Sequence, residues 1–176
     1  APARPAPAPP PAPTYFTTPF SLEDMRGKQA VLETSAGTIV MTLLPEAAPN
    51  QVGLFITRAR EGAYNGTAFH RVIRYGIIQG GDPFTRNPAT NSLAGHGGPG
   101  YQIPREHNKL THQKLVIAAA RGGDPNSAGS QFYITQDPVP FLDDGDGYTV
   151  FGKVIKGGDI ALKLRQDDVV QKAIAE

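Results

Sequence analysis

The 176-residue chain has no cysteine, no tryptophan and no long apolar run, and its charges nearly cancel. Without cysteine there are no disulfides, no thiolate metal ligands and no cysteine nucleophile within the sequence. That absence does not identify a compartment. The apolar runs extend only a few residues, against the roughly 20 that a membrane-spanning helix needs. Lys and Arg number 17 against 16 Asp and Glu, a net charge of +1 with no basic block. The sequence therefore carries no electrostatic footprint for nucleic acid or anionic lipid. Partners are expected to be read by shape and hydrogen bonds. The length suits one domain with a hydrophobic core and is short for two.

Proline is plentiful and unevenly placed. Eight of the 17 prolines fall in residues 1–19, and Ala1 to Pro13 consists of Ala, Pro and one Arg. Such a stretch favours polyproline II at about 3.1 Å per residue, so 13 residues reach about 40 Å. Residues 1–19 read as a Pro/Ala-rich disordered linker and 20–176 as the folded domain. The absence of an initiator Met together with this linker leads to the expectation of an upstream segment that is removed, and of work outside the cytoplasm, in a bacterial periplasm or envelope. A cytoplasmic setting is the alternative.

From Lys28 onward the pattern is mainly that of strands. Ala30 to Thr34 and Thr38 to Leu44 flank Ser35-Ala36-Gly37 and predict a β-hairpin. Val52, Phe55, Ile56 and Ala59 follow Pro49-Asn50 at helical spacing and stop before Gly62, which predicts an amphipathic helix. Further strands are expected at Ala68 to Ile73, Ile77 to Gly80, Leu115 to Ala120, Gln131 to Thr135, Thr149 to Val154 and Val169 to Ala173. A second helix is expected from Asp159 to about Arg165, with Asp159 as its cap. Eight strands and two helices favour a mainly β fold, a closed eight-stranded antiparallel barrel capped by two α-helices. Pro83 to Lys114 is long and aperiodic, and a connection of that length in a single domain is usually functional.

Phe69-His70-Arg71, with Gln79-Gly80-Gly81-Asp82 after it, resembles the cyclophilin family. The resemblance continues in family order through Gly97-Gly98-Pro99-Gly100-Tyr101, Asp124 to Ile134, Phe141-Leu142-Asp143 and Val150 to Val154. Coverage runs from about Ala30 to the C-terminus. It implies the eight-stranded barrel and peptidyl-prolyl cis/trans isomerase activity that assists folding, with no cofactor and no metal. The implied partners are proline-containing peptides and unfolded proteins, met by a monomer.

An X-Pro bond rotates slowly because amide resonance keeps it planar, with a barrier of about 18 to 20 kcal/mol. No nucleophile and no proton shuttle is required. The need is for a site that binds the twisted amide better than either planar form. The twisted prolyl nitrogen gains a lone pair, and a fixed cationic donor fits it. Arg71 has the permanent charge and the planar donor fork, and the resemblance assigns it this catalytic role. Carried over from the family, Ile77, Tyr133 and Leu142 would line the pocket for the proline ring, and Gln79 would hold the substrate backbone. Phe141 and Tyr148 would stand at the rim, and Ala120 and Arg121 would pair with the substrate main chain. Apart from the resemblance, the apolar residues among these would be read as core filler, and Arg71 as a surface ion-pair partner.

The chain departs from the family in three places. Arg74-Tyr75-Gly76 stands where Gly then Phe is usual, so Gly76 replaces a pocket aromatic, and Tyr75 compensates only if the backbone shifts. Tyr133 replaces Phe and adds a hydroxyl that needs a partner or solvent. Phe141 replaces a Trp and removes an indole donor, which implies weak cyclosporin binding. The first departure keeps a rival reading open, a proline-peptide binding module with weakened catalysis. His96, His107 and His112 lie in the long loop and read as solvated rather than as metal ligands. Asp143-Asp144-Gly145-Asp146-Gly147 lacks the closing Glu of a calcium loop and reads as a turn.

Overall fold

Alternating burial builds the first hairpin. Strands β1 (Gln29–Thr34) and β2 (Gly37–Leu43) pair antiparallel from Gln29↔Thr42 to Thr34↔Gly37, and every second side chain points into the core. Gly37 is needed where it stands: φ is 136°, and a Cβ would lie 3.0 Å from Ile160 Cδ1. These features come from a computed structural model describing residues 7–176; residues 1–6 of the expected linker lie outside the described residues.

Helix α1 (Leu22–Met25) is a single capped turn ahead of the hairpin. Its capping box joins Ser21 and Asp24, each side chain taking the other residue's backbone N–H. Helix α2 (Pro49–Arg60) carries the expected stripe, with Val52, Phe55, Ile56 and Ala59 all buried. Its N-cap, Ala48, has no capping side chain. The Glu106 carboxylate does that work from the long loop, accepting the N–H groups of Asn50 at 2.7 Å and Gln51 at 2.9 Å. Burial raises the Glu106 pKa, and those N–H groups oppose the rise. Phe55 sits at the centre of the core, with ring centroids 4.9 Å from Tyr64, 5.7 Å from Phe132 and 6.0 Å from Phe151.

The remaining strands are β3 (Arg71–Val72), β4 (Ile77–Gly80), β5 (Val116–Ala119), β6 (Phe132–Thr135), β7 (Val150–Lys156) and β8 (Val170–Ala175). All eight form one antiparallel sheet in the order β3-β4-β6-β5-β7-β2-β1-β8. Its two ends curl together without a continuous ladder. They meet around one isolated bridge, Ala68↔Val169, flanked by Phe69 N–H to Asp168 O at 2.8 Å and Asp167 N–H to Phe69 O at 2.9 Å. "Closed" therefore overstates the barrel: an irregular seam joins its edges. The strand expected over Ala68 to Ile73 contracts to two residues for the same reason, because its first part serves the seam.

Helix α3 (Gly158–Lys163) begins earlier than expected, and Asp159 lies within its first turn rather than at the cap. Gly157 caps it in the left-handed conformation at φ 73°, where an added Cβ would strike Thr38 O. α2 packs on β8 and α3 on β2.

Residues 14–18, inside the stretch read as linker, dock on the domain. Phe16 N–H donates to Gln102 O, Gln102 N–H donates to Thr14 O, and the Phe16 and Tyr101 rings stack at 5.5 Å. Thr18 N–H reaches Asn50 Oδ1 at 2.8 Å. No helix among the described residues is long and apolar enough to cross a membrane.

Candidate active site

Strand register places the site. Arg71 lies opposite Gln79, Gln79 opposite Tyr133, and Tyr133 opposite Ala118. Directly paired residues share a face of the sheet, so this row runs across the outer face, away from the barrel interior. On that face Val116, Ala118, Tyr133 and Val150 form a second buried cluster, with Ile77, Ala120, Leu142 and Tyr148 packed against it. Arg71 is exposed beside this floor.

All nine expected site residues line one cavity of about 600 Å³. Ile77, Tyr133 and Leu142 contribute apolar surface, and Phe141, on a 3-10 turn at Pro140–Asp143, is 70% exposed at the rim. Tyr148 meets Tyr133 edge-on at 6.0 Å. The Arg121 guanidinium lies over the Tyr148 ring at 4.3 Å and donates to Gly147 O at 2.7 Å, which fixes a cation at the cavity's end. Ala120 donates its N–H to Gln131 O, just ahead of β6, at 3.0 Å.

Polar bonds aim the donor groups. Arg71 Nη1 approaches Gln79 Oε1 at 3.4 Å, and Gln79 Nε2 donates to Gln131 Oε1 at 2.9 Å. Gln131 in turn donates to Gly97 O at 2.8 Å and to Asp82 Oδ2 at 3.3 Å. Asp82 is fully buried and also accepts the N–H groups of Phe84, Gly95 and Gly97. One carboxylate thus organises the start of the long loop and steadies the Gln79 amide through Gln131. Gln131 belongs to a motif quoted for its family likeness, yet the sequence reading gave it no role. His70, beside Arg71, has no hydrogen bond of good geometry on either ring nitrogen among the described residues, and burial lowers its pKa against the opposing pull of Asp82 and of nearby Ala68 and Gln131.

The loop departures have a structural form. Tyr75, at the position where the resemblance leads one to expect Gly, adopts φ 61°, the left-handed region. Its ring is 66% exposed at the cavity edge, with the Arg74 guanidinium 4.8 Å from the ring centroid and Arg74 Nη2 donating to the hydroxyl at 2.9 Å. A Cβ on Gly76 would sit 3.2 Å from both Ile73 Cγ2 and Ile73 O. An aromatic at 76 therefore requires Ile73 to move.

His112 corrects one expectation: it is 1% exposed, not solvated. It is the partner of the extra hydroxyl on Tyr133, at 2.8 Å from Nε2. His96 and His107 are exposed as expected, and Asp143 to Gly147 forms a turn closed by Gly147 N–H to Asp144 O. Among the described residues no group of three or more His, Asp or Glu side chains is placed to hold a metal ion.

A second cavity of about 880 Å³ adjoins the first and shares Gln79, Ala120 and Arg121 with it. Its walls include Gly95 to Gln102, Gly129 to Gln131 and, from the N-terminal segment, Pro11 to Thr14.

The same pattern recurs in known proteins. Residues 30–175 match the family described as cyclophilin type peptidyl-prolyl cis-trans isomerase/CLD. A peptidyl-prolyl cis-trans isomerase of Helicobacter pylori is 36% identical over 149 residues, 82% of this chain and 85% of that protein. A probable peptidyl-prolyl cis-trans isomerase of Brucella suis is 39% identical over 140 residues, 77% of this chain and 70% of that one. Among solved structures, a cyclophilin type isomerase of Cryptosporidium parvum superposes with a TM-score of 0.71 at 26% identity, covering 85% of this chain and 97% of that chain. The same parasite isomerase, solved in the presence of the dipeptide Ala-Pro, gives a TM-score of 0.71 at 25% identity. With that family match over residues 30–175 and a relative 36% identical across most of both chains, the chain belongs to the cyclophilin-type peptidyl-prolyl cis-trans isomerases.

Proposed function

We propose that the 600 Å³ groove on the outer face takes the prolyl ring on the Ile77, Tyr133 and Leu142 floor, with Arg71 as the catalytic donor. The cross-strand row supports this reading: it sets a permanently charged donor beside an apolar floor, with Gln79 between them. As the X-Pro bond twists, its nitrogen loses conjugation and becomes an acceptor. A guanidinium aimed there strengthens only in the twisted state, which is the differential binding that lowers a barrier. Gln79 holds the substrate backbone, Ala120 and Arg121 flank its main chain, and Phe141 and Tyr148 bound the rim. Exposed X-Pro segments of unfolded proteins are the proposed clients. Phe141 has no indole donor, so cyclosporin is proposed to bind weakly.

The test is kcat/KM on a short X-Pro peptide, with circular dichroism as the check on folding. Arg71→Ala is expected to fold and to lose about 10²- to 10³-fold in rate. Arg71→Lys recovers part of that loss, since it keeps the charge but not the planar fork. A folded Arg71→Ala with most of its activity would remove Arg71 from catalysis and assign the barrier-lowering contact to another group of the groove.

A further inference from the structure

Beneath the groove lies a polar chain that the isomerisation chemistry does not require: half-buried Asp143 and the buried His112 and Tyr133. We propose that His112 is a positioning residue, fastening the groove's outer wall to its floor and so setting the fit of the prolyl ring. This rests on the reading that the ring binds between Tyr133 and Leu142.

Asp143 Oδ1 accepts the His112 backbone N–H at 3.0 Å and lies 2.6 Å from the ring's Nδ1. With Nδ1 facing the carboxylate, Nε2 is the ring atom left to meet Tyr133. The Tyr133 hydroxyl hydrogen-bonds to it at 2.8 Å, with the two ring planes 20° from parallel. Burial pushes the Tyr133 phenol well above its ordinary pKa, so it keeps its proton. The His112 side chain has no exposed surface.

His112 grips the wall from both ends. Its carbonyl accepts Val139 N–H at 2.9 Å, just before the Pro140–Asp143 turn, and its backbone N–H and Nδ1 hold Asp143 at the far end. Phe141 and Leu142 lie between those anchors. Nε2 then ties the assembly to Tyr133 on β6. One residue therefore sets the distance between floor and wall, whereas Arg71 approaches from β3 and stands outside the chain. Loosening the chain should weaken substrate fit more than it weakens the donor.

The experiment compares Tyr133→Phe, which deletes only a hydroxyl, with His112→Phe and the double variant. KM is expected to rise about 5- to 20-fold in each single variant, with kcat changed far less. The double variant should be no worse than His112→Phe alone, because both changes break one chain. By NMR, the wild type should show a downfield, slowly exchanging imidazole N–H that shifts in Tyr133→Phe and on adding an Ala-Pro peptide. Unchanged KM in a folded Tyr133→Phe, or additive losses in the double variant, would overturn the role of His112. Should His112→Phe not fold, Tyr133→Phe and the imidazole signal decide the matter. If the peptide perturbs no resonance of Tyr133 or Leu142, the groove assignment itself fails, which is a separate result.

Discussion

The inner face of β5 and β6 presents Ile117, Ala119, Phe132 and Ile134 to the barrel interior, while the outer face presents Val116, Ala118 and Tyr133 to the groove. Both faces are buried, yet their chemistry differs. Inside, the aromatic rings packed around Phe55 carry one polar atom, the Tyr64 hydroxyl, which reaches Ser130 O at 3.3 Å. Outside, a floor of the same strands carries a hydroxyl bonded to His112 and borders a guanidinium and a cluster of amides. The same four-residue strands thus support the core on one face and, in the proposed reading, recognition on the other. Substitutions on the two faces should consequently be separable.

The largest effect is expected inside. Phe55→Ala removes the ring at the centre of the core and should cost about 3 to 5 kcal/mol, read by urea denaturation. Its kcat/KM, measured where the variant remains folded, should stay close to wild type. A parallel fall in activity would show that the two faces are mechanically coupled. Asp82→Asn probes the join between them, because this carboxylate serves both loop N–H groups and Gln131. Asparagine has one acceptor oxygen for those donors, and the expected loss is about 1 to 3 kcal/mol together with a higher KM. Stability loss at constant KM would separate Asp82 from the groove.

The smallest effect concerns pH. Burial holds the His70 pKa below its ordinary value, so the folded state favours the neutral ring. That contribution to stability is complete above the unfolded value of about 6.5 and is lost as pH falls through the lower folded one. Wild-type stability should decline between pH 7.5 and 5.5 more than that of His70→Gln. Parallel stability curves for the two proteins would show that His70 plays no part in the decline.

Much of the frame was legible because its signals are local. The hairpin followed from alternation around Ser35-Ala36-Gly37, α2 from a 3.6-residue stripe, and β4 was bounded correctly at Ile77–Gly80. The site residues came from motifs that preserve order and spacing, and register then gathered them. What escaped depends on distant partners. His112 is buried by Asp143, 31 residues on, and by Tyr133, 21 residues on; nothing beside it in the chain signals this. The docking of residues 14–18 was hidden by proline, although Tyr15 and Phe16 interrupt the Pro/Ala pattern and were a usable signal. Ser21-Leu22-Glu23-Asp24 was another, a capping box before a helix too short to show periodicity.

The seam at Ala68↔Val169 makes the barrel a split ring rather than a hoop. A split ring relieves load at its gap, and here the gap lies three residues from Arg71. On one side the arginine's strand is stapled by the backbone bonds of Phe69, and on the other by a two-pair hairpin with β4. Amide hydrogens of residues 67–72 should therefore exchange sooner than those of β1 and β2, whose ladder runs for six pairs. The group proposed to meet the twisting amide is thus carried on the least clamped length of the sheet, where a small change in backbone position disturbs few other bonds.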